Sequence, residues 1–249
     1  MTDRPIIFSA PMVRALVAAR KTQTRRVLTH LRKMGRISEF GPSTTRGYDW
    51  HFRDAGARWN DVSHTRLLEL LPWQACDRLW VRESVCAVEK EDYFDGVRYV
   101  ADDSWRPIED STKGADQWIE LFYYRRKRGA TVPPIHMPRW ASRLTLTVAA
   151  VRVERLQDIS EADAIAEGVI RRRHATASVG GRSLPAPETF CFDIDPIEGD
   201  ELAGAMTARD SYELLWDRLH GAGAWSRNPW VTAISFGCEQ RNIDDENNI

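Results

Sequence analysis

The segment Ala19-Arg20-Lys21-Thr22-Gln23-Thr24-Arg25-Arg26 sets an amine and a hydroxyl three residues apart. At a helix end or in a tight turn Lys21 and Thr24 would share a face. A lysine can take the proton of a threonine hydroxyl, and so make it a nucleophile, only if the amine is neutral part of the time. Arg20, Arg25 and Arg26 supply like charge that pushes the lysine pKa that way. A solvated basic helix end would carry the same residues, and spacing alone does not choose between the two. A second group is Tyr123-Tyr124-Arg125-Arg126-Lys127-Arg128, followed by Arg139-Trp140 and Arg143. Arginines interleaved with aromatics stack on bases and neutralise phosphates, the combination that holds single-stranded nucleic acid. Arginine stems lying over rings on a solvated loop give the same pattern.

These side chains need elements to position them. Pro5 to Ser9 predicts a strand. Ser9-Ala10-Pro11 supplies a cap and an early helical proline, and Met12, Val13, Leu16 and Val17 then predict a helix from Pro11 towards Arg20. Arg78 to Arg82 and Val97 to Ala101 read as strands. Along Leu144 to Leu156 the apolar positions change phase at Ala149-Ala150, which predicts a bulge of the kind that curves small barrels. Ser160 caps a short helix that Gly168 ends. Tyr212, Leu215, Trp216 and Leu219 predict a helix over 208–219, and Trp230, Thr232, Ile234 and Phe236 a last strand. Trp80, Trp216 and Trp230 fall on periodic faces and are expected in the core.

The chain has 249 residues, 43% hydrophobic and 29% charged, which excludes global disorder. Its formal charge is −1, yet eight Lys and Arg stand against Asp3 alone in the first 33 residues. Near-neutrality therefore hides a basic segment and does not exclude nucleic acid. Cys76, Cys86, Cys191 and Cys238 are scattered, so neither a disulfide framework nor a zinc site is expected, and His64, His174 and His220 have no metal-ligand spacing. No stretch is long and apolar enough for a signal peptide or a membrane span, so a cytoplasmic location without membrane contact is expected. Stretches 34–66, 86–130 and 171–206 lack sustained periodicity and read as insertions in a single domain over 1–238, with an acidic, frayed tail at 239–249.

Several segments together point to a family: Pro5-Ile6-Ile7-Phe8-Ser9, Arg20-Lys21-Thr22-x-Thr24-x-Arg26, Asp77 to Glu83, Ile135 to Arg143, and Asn228-Pro229-Trp230-Val231. In these the chain resembles the ASCH-domain proteins encoded by phages and prophages. The resemblance implies an α+β fold with a PUA-like β-barrel, relatives of which bind RNA, and a bacterial host cell. Within the wider superfamily the chain is similar to the N4-acetylcytidine amidohydrolases, which use a lysine, a threonine three residues later and a glutamate at the end of a short helix. That similarity implies catalytic roles for Lys21 and Thr24 and, through Ser160-Glu161-x-x-Ala164-x-x-Glu167, for Glu167. A carboxylate in the last turn of a helix faces the negative end of its dipole, an unfavourable place consistent with a functional role and with proton donation.

The reaction implied is hydrolysis of an acyl group from the N4 amine of a cytidine, with no metal or other cofactor. Lys21 would deprotonate Thr24, Thr24 would attack the acyl carbonyl, Glu167 would help protonate the departing amine, and backbone amides of the Lys21 to Arg25 turn could receive the oxyanion. Arg20, Arg25, Arg26, Glu83, His136, Arg139 and Trp140 are candidates to hold a modified nucleoside or single-stranded nucleic acid. Glu83 and Arg82 also read as a structural pair, His136 as a loop histidine, and Trp140 as a core residue. The competing classes are a non-catalytic RNA- or DNA-binding module and a ribonuclease.

Overall fold

The computed structural model describes residues 2–89, 95–108, 111–173, 177–179, 182–184, 188–191 and 207–245. Most of the expected insertion at 171–206, and positions 246–249 of the tail, lie outside them. The fold is mixed α+β, mostly strands with a few short helices.

A five-stranded sheet organises the chain: β1 (Asp3–Ile7), β2 (Gln23–Val27), β3 (Arg78–Arg82), β4 (Thr145–Arg155) and β5 (Trp230–Glu239), in the order β1-β3-β4-β5-β2. β1 runs parallel to β3, and the other pairs are antiparallel. The register of β4 on β5 shifts between Val148 and Ala150, where the sequence predicts the bulge. A bulge adds twist and bends the strand. The sheet is nevertheless open and not the closed barrel expected, since β1 and β2 are edges that share no ladder. A side chain crosses the seam instead: Arg26 of β2 donates to the Ile7 carbonyl of β1 at 2.6 Å.

The helices are α1 (Ala10–Val17), α2 (His64–Leu70), α3 (Thr112–Phe122), α4 (Glu161–Ala166) and α5 (Ala208–His220). Ser160 and Thr207 cap α4 and α5 with hydrogen bonds at 3.1 Å to Asp163 N and Asp210 N. The first helix stops three residues short of the expected Arg20. Ala19 takes φ 53°, a left-handed conformation that a helix cannot continue through. The main core gathers Ile6, Val13 and Leu16 with Leu79, Leu146 and Trp216.

Two of the three expected insertions carry cores of their own. A meander of Ser38–Pro42, Trp50–Arg53 and Trp59–Val62 packs with α2 around Phe52, Leu67 and Leu71, and leans on Trp230 and Val153 of the main sheet. A four-stranded sheet, Trp105–Pro107, Asp95–Tyr99, Val85–Glu89 and Thr131–Val132, packs with α3 around Tyr99, Trp118 and Trp140. Their apolar residues are real core positions, but short strands and long turns hide the period. The expected frayed tail is instead fixed as far as Asp245. Asn242, 2% exposed, donates to the carbonyls of Arg139, Trp140 and Ser142 at 3.0, 2.9 and 2.7 Å.

Candidate active site

The turn after α1 carries the chain inward. The amides of Arg20 and Lys21 both donate to Ala15 O, Thr22 N donates to Ala166 O at 2.8 Å, and Thr22 O accepts from Phe236 N at 2.9 Å. The turn is thereby fastened to α1, to the end of α4 and to β5 at once. Two of its amides are committed to these bonds, so Lys21 N and Thr22 N do not supply the oxyanion donors expected of them.

Lys21 leaves this turn fully buried. Its Nζ donates to Glu167 Oε2 at 2.6 Å and to Glu167 O at 2.9 Å. Burial pushes the amine below the usual lysine range; Glu167 opposes this, and Arg26 and Arg25 add to it. The expected direction is right, but removal from water is the leading cause, ahead of the neighbouring arginines.

Glu167 caps the C-terminus of α4, and Gly168, at φ 106°, turns the chain away. A carboxylate at this end of a helix is disfavoured by the backbone dipole, and here cations surround it. Besides Lys21, it accepts from Arg25 Nη1 at 3.2 Å and from Tyr212 Oη at 3.4 Å. Burial, with Glu167 next to it, raises the Tyr212 phenol well above its ordinary value, so this hydroxyl keeps its proton as a donor.

Thr24 lies in β2, opposite Ile234, and is almost wholly buried. Together with Glu167, Arg26, Tyr212, Trp216 and His220 it lines one cavity of about 20 Å³. That is room for a water molecule and not for a pyrimidine ring. Among the described residues no hydrogen bond joins the Thr24 hydroxyl to Lys21. The structure therefore brings Thr24 and Glu167 to one cavity; Lys21 is hydrogen-bonded to Glu167 and is not among the residues that line it.

Several expected binding residues are engaged elsewhere. Arg25, by contrast, lines the cavity; 3% exposed, it donates to Glu154, Gln23 and Glu167 and lies 3.2 Å from Asp163. Arg139 is held by Asp3 and Asp244, both at 2.6 Å. Glu83 is buried against Arg143 at 2.8 and 2.9 Å, while Arg82 donates to Met137 O, so the expected Arg82–Glu83 pair does not form. Trp140 belongs to the second core. His136 is exposed beside Tyr124 and Arg20 is half-buried in the turn; neither lines the cavity. Arg26 does line it, half-buried.

The sequence reading missed Tyr212 and His220 as site residues. Both belong to α5, where Tyr212 falls on the apolar stripe and its hydroxyl is indistinguishable from core. The ring of His220 lies 4.2 Å from that of Trp216, tilted by 35°, and burial, then Arg26 and Arg227, lowers its pKa. Among the described residues no cluster could hold a metal ion, and no helix is long and apolar enough to cross a membrane. No family model, curated protein or solved structure matches the chain.

Proposed function

We propose that the chain is an amidohydrolase of the ASCH, PUA-like type that removes an acyl group from the N4 amine of a cytidine and works in the cytoplasm of a bacterial host cell. The observation that carries this reading is a wholly buried lysine of lowered pKa, hydrogen-bonded to a glutamate that shares a cavity with a threonine. A neutral amine has two N–H bonds and one lone pair. The oxygens of Glu167 occupy two hydrogen bonds of Lys21, and the lone pair remains to receive the Thr24 proton.

In the proposed reaction the opening of the cavity brings the Thr24 hydroxyl to Lys21, Thr24 Oγ attacks the acyl carbonyl as its proton passes to the amine, and the Arg26 guanidinium faces the oxyanion. The proton then moves from Lys21 to the leaving nitrogen, the C–N bond breaks, and the free cytidine amine departs from an acyl-threonine ester. Water adds to the ester with Lys21 again as base, releasing the carboxylic acid and restoring the hydroxyl. Glu167 orients the amine, and Tyr212 orients Glu167. Entry of a nucleoside requires the α5 side chains over the cavity, Trp216 and His220 among them, to swing aside.

The test is purified protein with N4-acetylcytidine. Release of cytidine and acetate, and its loss in Lys21→Ala and Thr24→Ala, is the expected result. Rapid quenching should show the mass of an acetyl group on the peptide bearing Thr24. Absence of turnover by a well-folded parent chain would sink the reading and leave a non-catalytic nucleic-acid-binding module in first place.

A further inference from the structure

We propose that the loop following α3, 123–130, is a docking platform for single-stranded nucleic acid, separate from the Lys21 cavity. None of its residues lines that cavity, so the surface does not depend on the amidohydrolase reading.

Most prominent arginines of this chain meet a carboxylate: Arg78 meets Asp3, Arg139 meets Asp3 and Asp244, and Arg143 meets Glu83 and Asp102. Arg125, Arg126 and Lys127 are exposed and, among the described residues, have no carboxylate partner. Three adjacent cations without a carboxylate partner among the described residues form a local excess of positive charge that attracts a polyanion.

The cations sit on a built loop. Gly129 N donates to Phe122 O at 3.0 Å, Arg126 N to Tyr123 O at 2.8 Å and Lys127 N to Tyr124 O at 3.1 Å, and the strand Thr131–Val132 ties the exit to Cys86 and Val85. Arg125 and Arg126 take φ 53° and 60°, consecutive left-handed conformations that side chains rarely adopt. Strain held in place by surrounding bonds is a feature of binding sites.

Flat rings accompany the charges. Tyr123 is 50% exposed, with the Arg128 guanidinium 5.8 Å from its ring centre. Tyr124 lies 5.4 Å from both the Arg125 guanidinium and the exposed His136 ring. Cations matched to phosphates beside rings matched to bases fit a single strand, whose bases are free to stack, better than a duplex or an acidic protein.

The experiment is fluorescence anisotropy of a labelled oligouridylate of about ten nucleotides titrated with the full chain. The expected affinity falls steeply with salt, by about 0.7 log unit per log unit of salt for each phosphate neutralised. Arg125→Asn with Arg126→Asn and Lys127→Gln, in which asparagine tolerates the left-handed backbone, should lower that slope by about two. Tyr123→Leu with Tyr124→Leu should weaken binding about tenfold or more and leave the slope unchanged. Photocrosslinking of a 4-thiouridine strand to the unaltered chain should label the peptide carrying Tyr123 and Tyr124, a readout independent of any variant. Labelling elsewhere, unchanged binding in folded variants, or equal affinity for polyglutamate or for phosphatidylserine vesicles overturns the proposal.

Discussion

Lys21 Nζ lies 2.6 Å from Glu167 Oε2 and 2.9 Å from the carbonyl of the same residue, with both side chains removed from water. One residue thus takes two hydrogen bonds of the amine. Breaking a buried pair by removing one partner leaves the other charge stranded, at a cost of roughly 3–5 kcal/mol. Arg25 and Tyr212 still reach Glu167 when Lys21 is lost, so Lys21→Met should destabilise by about 3 kcal/mol, the low end of that range. Lys21→Met with Glu167→Leu should cost less than the two single changes added together, as read from urea unfolding. Strict additivity would show that the two do not interact.

The lowered pKa of Lys21 gives stability a pH signature. Between its folded-state pKa and the ordinary 10.5, the unfolded chain holds the proton that the folded chain has released. Stability attributable to this residue therefore rises with pH across that window. Unfolding midpoints collected from roughly pH 7 to 10 should climb more steeply for the parent chain than for Lys21→Met. Parallel curves would mean that the amine stays charged in the fold.

Tyr212→Phe removes the donor that approaches Glu167 at 3.4 Å. A contact of that length is weak, and the loss in stability should be about 0.5 kcal/mol. Under the proposed reaction kcat on N4-acetylcytidine should fall with little change in KM, because the hydroxyl acts by orienting Glu167. A rise in KM alone would assign Tyr212 to substrate binding.

Glu83→Gln separates structure from site. The carboxylate is buried against Arg143, and burial raises its pKa while Arg143 opposes the shift. Its replacement should destabilise by about 3 kcal/mol, yet leave the kcat of the folded protein unchanged because Glu83 does not line the cavity. A selective loss of kcat would return Glu83 to the site.

Ala19→Gly tests the turn that delivers Lys21. A left-handed residue with a Cβ carries strain of about 1 kcal/mol that glycine relieves, partly offset by the larger freedom of glycine in the unfolded chain. A net gain of about 0.5 kcal/mol in unfolding free energy is expected.

The apolar periods of α5, β4 and β5 were legible because each repeats over several turns or pleats, and the change of phase at Ala149-Ala150 even marked the bulge. β2 was not legible. Gln23, Thr24 and Arg25 are all buried, and a strand whose inward residues are polar looks like a solvated turn until the carboxylates of Glu154, Asp163 and Glu167 are brought to it. For the same reason the carboxylate partners of Arg25 were not legible: long-range ion pairs leave no local trace. The cavity-lining face of α5 was concealed in the opposite way, since Tyr212 and Trp216 fit an apolar stripe as well as they fit a site.

The ladder partner of β2 is β5, and Gln23 Nε2 meets Ser235 Oγ across 212 residues of chain. During synthesis the turn that carries Lys21 and Thr24 emerges well before its anchoring strand. Closing so long a loop is slow, and pairing of this range lengthens folding times. The candidate site is therefore assembled late, and a nascent chain stalled before Trp230 would carry the site residues without a working site.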